Sequence, residues 1–140
     1  TGIEAMPAPR ADSDGHFGRL QAIDMEKMEM AWRHRELTPP STPLLSTGGG
    51  LVFGGNLDGS FKAFDAHSGE ILWETAMDHL PSSFPITYAV NGKQYVAIVK
   101  GQPSTWTWSL FGIIQGLLGP AAQSTPTPSG EPGLVVFAIE

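Results

Sequence analysis

AIDMEKMEMAW (Ala22 to Trp32) and AFDAHSGEILW (Ala63 to Trp73) superpose without a gap at an offset of 41 residues, and this match decides the fold. Ala22 and Ala63, Asp24 and Asp65, Glu29 and Glu70, and Trp32 and Trp73 are identical pairs. Upstream, Gly18 faces Gly59 and Leu20 faces Phe61, and a partial third copy stands at Phe137, Ala138, Ile139 and Glu140. Self-similarity at a period of roughly 40 to 50 residues is the signature of propeller blades, each made of four short antiparallel strands.

The unit built on the second copy reads strand by strand. Thr42 to Thr47 is its first strand, Gly48 to Gly50 a turn and Leu51 to Gly55 its second strand; Leu57-Asp-Gly59 is a tight turn whose glycine takes positive φ. Phe61 to Asp65 and Ile71 to Thr75 complete the meander through a turn at Ala66 to Gly69. The next unit starts at Phe84 to Ala89, turns at Asn91-Gly92 and continues through Gln94 to Val99. Its third strand waits until Leu134 to Ile139. Ala63 and Ala138 are 75 residues apart, so 34 more than the repeat are inserted roughly between Gly101 and Gly133. Taken alone, residues 24–37 favour helix, because Met, Glu, Lys, Ala and Arg are helix formers and Met25, Met28 and Trp32 share a helical face. Their ungapped alignment with a segment that turns at Ser68-Gly69 favours a strand hairpin instead, since tertiary context overrides propensity.

Composition agrees with this reading and removes several functions. The 140 residues include 17 Gly and 12 Pro and are only 16% charged, which suits many strands and turns and disfavours helix bundles. Eight Lys and Arg against 14 Asp and Glu give a net charge of −6, leaving no basic surface for a nucleic acid. Absence of Cys excludes thiol catalysis and a cysteine-based zinc site. The opening residues show no secretory signal, and the apolar run from Trp106 to Leu118, broken by Gly112 and Gly116, is too short to cross a bilayer.

The pattern AxDxxTGxxxW resembles the tryptophan docking motif of pyrroloquinoline quinone (PQQ)-dependent dehydrogenases. Residues 63–73 match every fixed position with Ser68 in place of Thr, whereas the first copy departs at Lys27 and Met28. GGLVFGGNLDGSFKAFDAHSGEILWET, PITYAVNGKQYVAIVKG and LVVFAIE together are similar to the C-terminal part of the alcohol dehydrogenase branch, over about residues 18–101 and 133–140. That resemblance implies an all-β fold, a partial β-propeller of two to three four-stranded antiparallel blades. It also implies PQQ on the propeller axis beneath calcium, an Asp acting as base on the alcohol, hydride transfer to the quinone, and electrons leaving to a cytochrome c or quinone. A periplasmic location follows from the same likeness. The calcium ligands and the base belong to blades upstream, and no acidic residue here aligns with them, so no catalytic or metal-ligating residue is assigned. Two cofactor contacts of the family map onto this chain. One falls near Pro40-Ser41-Thr42, where no aromatic stands, and the other at Gly101 to Trp106. Trp106, Gln102 and Thr42 are therefore the candidate cofactor-binding residues.

The motif makes physical sense apart from the family. A Trp on an outer strand can wedge its flat ring against the neighbouring blade while its N–H finds a carbonyl. An Asp where a strand meets a turn can accept backbone N–H groups. Trp32, Trp73, Ala22, Ala63, Asp24 and Asp65 thus read as architecture. His16, His34, His67 and His79 lack metal-ligand spacing, Asp12 and Asp14 read as a solvated acidic turn, and Ser46 to Gly50 lacks the Lys and the helix of a phosphate loop.

Four segments result: an irregular stretch over 1–15, blades over 16–100, an insertion over 101–132 and a closing strand over 133–140. Within the insertion, Trp106 to Leu118 reads as a short helix or apolar lid, and Pro120 to Pro132 as a flexible loop. Two outer strands, one full blade and three strands do not close a ring, so the remaining blades or another subunit are the expected partners. A non-catalytic propeller scaffold for protein assembly is the alternative, and a stand-alone small β domain a third reading.

Overall fold

The computed structural model describes residues 8–102, 105–119 and 129–139, with the side chains of 105–108 and 111 outside that description. Three antiparallel sheets follow one another along the chain. Strands β1 (Gly18–Asp24) and β2 (Glu29–Glu36) form the first; β3 (Leu45–Ser46), β4 (Leu51–Gly55), β5 (Ser60–Asp65) and β6 (Ile71–Ala76) form the second as a simple meander. The third contains β7 (Ile86–Val90), β8 (Lys93–Lys100) and β9 (Gly133–Ile139). Between β8 and β9 lies α1 (Thr105–Leu118), the helical outcome for the apolar run.

Residues 24–37 form a hairpin. Asp24 Oδ1 accepts the N–H groups of Glu26 and Lys27, at 2.9 and 3.1 Å, and one repeat later Asp65 Oδ1 accepts those of His67 and Ser68 at 2.9 and 2.7 Å. These bonds close the same turn twice, and the residue that follows turns the chain back into the second strand. Hydrogen bonds from Lys27 and Ser68, respectively, hold both carboxyls below the usual aspartate range. A bulge falls at the same repeat position in each hairpin, after Ala22 and after Ala63, with Ala22 opposite Trp32 and Ala63 opposite Trp73. Gly69 takes φ +75°, and Met28, which replaces it in the first copy, takes φ +55°. The turn survives loss of its glycine because the Asp24 bonds over-determine it.

Adjacent sheets are joined by their repeats. The Trp32 Nε1–H donates to the Ala66 carbonyl at 2.9 Å, and its ring covers Gly69 so closely that a Cβ there would stand 2.5 Å from Cε3. Trp73 likewise faces the following sheet, edge-on to Phe137 with centroids 5.0 Å apart. Phe61, Phe53, Met77, Val96 and Ile98 are buried between the second and third sheets, with Phe61 stacked on Phe137 at 5.9 Å. Their burial at about 25 cal/mol per Å² is the main term holding those sheets together. Helix α1 adds a second cluster, its buried Ile114 meeting Leu57 in the β4–β5 turn and Phe17 before β1.

Two strands differ from their sequence expectation. The first strand of the full blade is only Leu45–Ser46, because Pro39, Pro40 and Pro43 cannot donate to a ladder. Side chain and backbone share the task there: Ser41 and Thr42 N–H both donate to the Gly55 carbonyl, and the Gly55 N–H donates to Thr42 Oγ1 at 2.8 Å. Strand β7 starts at Ile86, one residue after Pro85. No helix among the described residues is long and apolar enough to cross a membrane.

The two turns respond oppositely to substitution. Met28→Gly relieves left-handed backbone strain at an exposed site and is expected to raise stability by about 1 kcal/mol. Gly69→Ala introduces that strain and also drives a methyl into the Trp32 ring, so a loss of at least ~2 kcal/mol is expected. Denaturant unfolding of both variants checks the contrast; equal effects would contradict it.

Candidate functional site

Thr42, Gln102 and Trp106 come from three separate stretches, and the structure ties two of those stretches to one region. Gly55, at the end of β4, lies between Thr42 and Pro81: a Cβ there would stand 3.1 Å from Thr42 Cγ2 and 2.5 Å from Pro81 Cγ. Pro81 bridges to Lys100, and the Gly101 N–H donates to the Leu80 carbonyl at 2.9 Å. The Thr42 loop is thereby linked to the end of β8, where Gln102 follows. Thr42 is buried with its Oγ1 engaged by Gly55, whereas Gln102 is exposed. Trp106 lies in the first turn of α1, and its side chain is outside the described residues.

Charged groups beside this region are committed to one another. Lys100 Nζ pairs with Asp78 Oδ1, and that hydrogen bond is the main reason the Asp78 carboxyl sits below its ordinary range. Such an acid is ionised and unsuited to proton transfer near neutrality. His79 is buried and accepts the Leu80 N–H at Nδ1 over 2.9 Å, leaving the other ring nitrogen to carry the proton. Among the described residues no group of three His, Asp or Glu could hold a metal ion.

A polar seam invisible to sequence reasoning crosses the interface of the first two sheets. Glu36 Oε1 accepts from Lys62 Nζ at 2.6 Å and lies 2.9 Å from His34 Nε2, while Lys62 also reaches Glu74 Oε1 at 3.4 Å. His34 packs edge-on against Phe64 at 5.3 Å. Burial opposes the charge on Lys62, but the bond to Glu36 and the attraction of Glu36, Glu74 and Asp58 outweigh it, so its pKa lies above that of a free lysine. Period-two alternation could have placed Lys62 on the inward face with Phe64, yet nothing in the sequence names Glu36, 26 positions earlier, as its partner.

An apolar groove of ≈330 Å³ runs between the second and third sheets, past Leu72, Trp73, Phe137 and Ile139. Its walls present aliphatic and aromatic side chains without convergent polar groups, so it lacks what orients a substrate. The Thr42–Gln102 region remains the better candidate.

A profile of the family "PQQ: Glucose/ethanol/alcohol dehydrogenase, beta-propeller domain" matches residues 13–96. The quinoprotein ethanol dehydrogenase of Pseudomonas aeruginosa is 42% identical over 88 residues, 63% of this chain and 14% of that protein. The 1-butanol dehydrogenase (cytochrome c) of Thauera butanivorans is 40% identical over 93 residues, 66% of this chain and 14% of that one. In three dimensions a europium-containing methanol dehydrogenase superposes with a TM-score of 0.69 at 27% identity, covering 90% of this chain and 24% of its own. The chain thus spans about one seventh of the length of these two curated relatives.

The polar seam carries a pH signature of defined sign. Because Lys62 has a raised folded-state pKa, its contribution is complete below about 10.5 and fades as pH rises through the raised value. Lys62→Met is expected to cost roughly 2 to 3 kcal/mol at neutral pH by stranding Glu36, less than a fully enclosed pair because Glu74 reaches solvent. It should also flatten the alkaline limb of a stability-versus-pH curve. A variant as alkali-sensitive as the parent would refute the assignment.

Proposed function

The chain belongs to the PQQ-dependent glucose, ethanol and alcohol dehydrogenase β-propeller family, and from that membership we propose that it is the C-terminal part of a periplasmic quinoprotein dehydrogenase acting on alcohols or related hydroxyl compounds. Its contribution is propeller structure together with one side of the cofactor site. The observation that carries this reading is the seating of Trp32 on Ala66 and Gly69, which makes each sheet the foundation of the next around a common axis. In such a ring the inner ends of the blades converge, and the links from Thr42 through Gly55 and Pro81 to Gly101 support assigning this region to that inner end.

The described residues do not by themselves fit PQQ and a metal. Thr42 has its oxygen engaged and its side chain buried, Gln102 offers a single amide to solvent, and Asp78 is paired with Lys100. No reaction step is therefore routed through these side chains. Within the proposal, Gln102 would hydrogen bond to the cofactor's polar edge, Thr42 would hold the neighbouring loop through its bond to Gly55, Trp106 is the candidate aromatic for its ring, and other blades would supply calcium or another metal, the base and most of the cofactor contacts. When bound, PQQ supplies the two-electron acceptor for alcohol oxidation. A cytochrome c, named for the Thauera relative, or a quinone would take the electrons onward.

Reconstitution tests the reading. The full protein carrying this chain, loaded with PQQ and calcium or a lanthanide, is expected to reduce an electron-accepting dye when primary alcohols are added. Gln102→Ala is expected to weaken PQQ binding about tenfold, the loss of roughly one hydrogen bond to a charged group. Absence of dye reduction over a broad alcohol panel would favour a cofactor-free assembly scaffold.

A further inference from the structure

Two buried side chains at the junction of the first and second sheets have no protein partner among the described residues: Thr38 Oγ1 and Asn56 Nδ2. Thr38 is 3% exposed and Asn56 9%. Both line one cavity of ≈20 Å³, whose wall also includes Gly18, His34, Glu36 and Phe64. Leaving such groups unserved would cost about 1 to 3 kcal/mol each, and native interiors meet that demand with protein or with ordered water.

The cavity selects its ligand by size and charge. One water needs roughly 10 to 15 Å³ and two to four polar neighbours, and this space of ≈20 Å³ has Thr38, Asn56, Arg19 and Glu36 in its otherwise apolar wall. Arg19, whose buried Nε–H likewise has no partner among the described residues, also lines the cavity; its charge and that of the nearby Lys62 disfavour a cation, and the Glu36 carboxylate disfavours an anion. A neutral molecule that both accepts and donates suits all of them. We propose that a single internal water binds here, accepting from the Asn56 amide, exchanging a hydrogen bond with the Thr38 hydroxyl and donating toward Glu36. Glu36 Oε1 is already shared by Lys62 and His34, so the water extends that seam inward.

Its position gives it a task. The Leu57 N–H donates to the Pro39 carbonyl at 3.1 Å, and Pro40 bridges to Asn56, so the run from Thr38 to Pro40 is pinned against the β4–β5 turn immediately before Thr42. Prolines 39 and 40 supply no N–H of their own to hold this run, and the water ties its first residue, Thr38, to Asn56 in the facing turn. Gly18 keeps the floor open, because a Cβ there would strike the Thr38 carbonyl. This inference is independent of whether PQQ binds.

A high-resolution crystal structure of the protein carrying this chain tests it directly. The expected result is one fully occupied peak within about 3.2 Å of both Thr38 Oγ1 and Asn56 Nδ2. No peak, or a peak bonded to neither side chain, would overturn the proposal. Thr38→Val and Asn56→Leu are each expected to lower Tm, with the double variant falling no further than the more harmful single, since both lose the same water. Additive losses would count against it. Should a variant fail to fold, the parent crystal structure alone decides.

Discussion

One contact organises the molecule: an indole from one sheet lies flat over a glycine in the next and donates its N–H to the carbonyl three residues before that glycine. The Trp32–Gly69–Ala66 arrangement combines a large apolar body with a directed hydrogen bond, so it fixes both the distance and the rotation between sheets. Hydrophobic area alone would allow the sheets to slide. The requirement for glycine is local and severe, because Gly69 carries positive φ and an indole on its bare Cα. Met28 occupies the same turn position with its side chain in solvent, which shows that the turn tolerates a side chain where no indole rests on it.

Sheets so joined can tolerate polar groups at their seams. Between the first and second, Lys62 faces the carboxylates of Glu36 and Glu74, and His34 lies within hydrogen-bonding distance of Glu36. Between the second and third, by contrast, Phe61, Phe53, Val96 and Phe137 make the seam apolar. The first seam is bound by directional contacts and the second by area. Register errors are therefore penalised more heavily at the first, where a shifted strand would strand a buried ammonium.

Much of the architecture was legible because it repeats. Asp24 and Asp65, identically spaced from Trp32 and Trp73, overrode the helix propensity of residues 24–37, and the structure gives the physical reason: Met28 and Gly69 take positive φ at the same repeat position and turn the chain back into the second strand of each hairpin. The shortened β3 was foreshadowed by Pro43 but masked by the strand-like Leu44-Leu45, while Thr42 proved to be a side-chain substitute for a ladder bond. Residues of the candidate site were reachable only through the family resemblance. Their grouping depends on Gly55, Pro81 and Gly101, whose contacts with Thr42, Pro81, Lys100 and Leu80 span 13 to 26 positions of chain and leave no periodic trace. Glu36 with Lys62, and Thr38 with Asn56, escaped for the same reason. A buried polar pair is specified by three-dimensional packing, and neither member looks unusual in its own segment.

The association of indole and glycine is the claim on which the blade architecture stands. A double-mutant cycle between Trp32→Leu and Gly69→Ala, read by equilibrium unfolding, measures it most directly. With the indole present, the added methyl meets both a strained backbone and the ring; with the indole removed, only the backbone cost of about 1 kcal/mol should remain. A coupling energy of at least ~1 kcal/mol is the result this account requires, and a Gly69→Ala penalty unchanged by removal of Trp32 would contradict it.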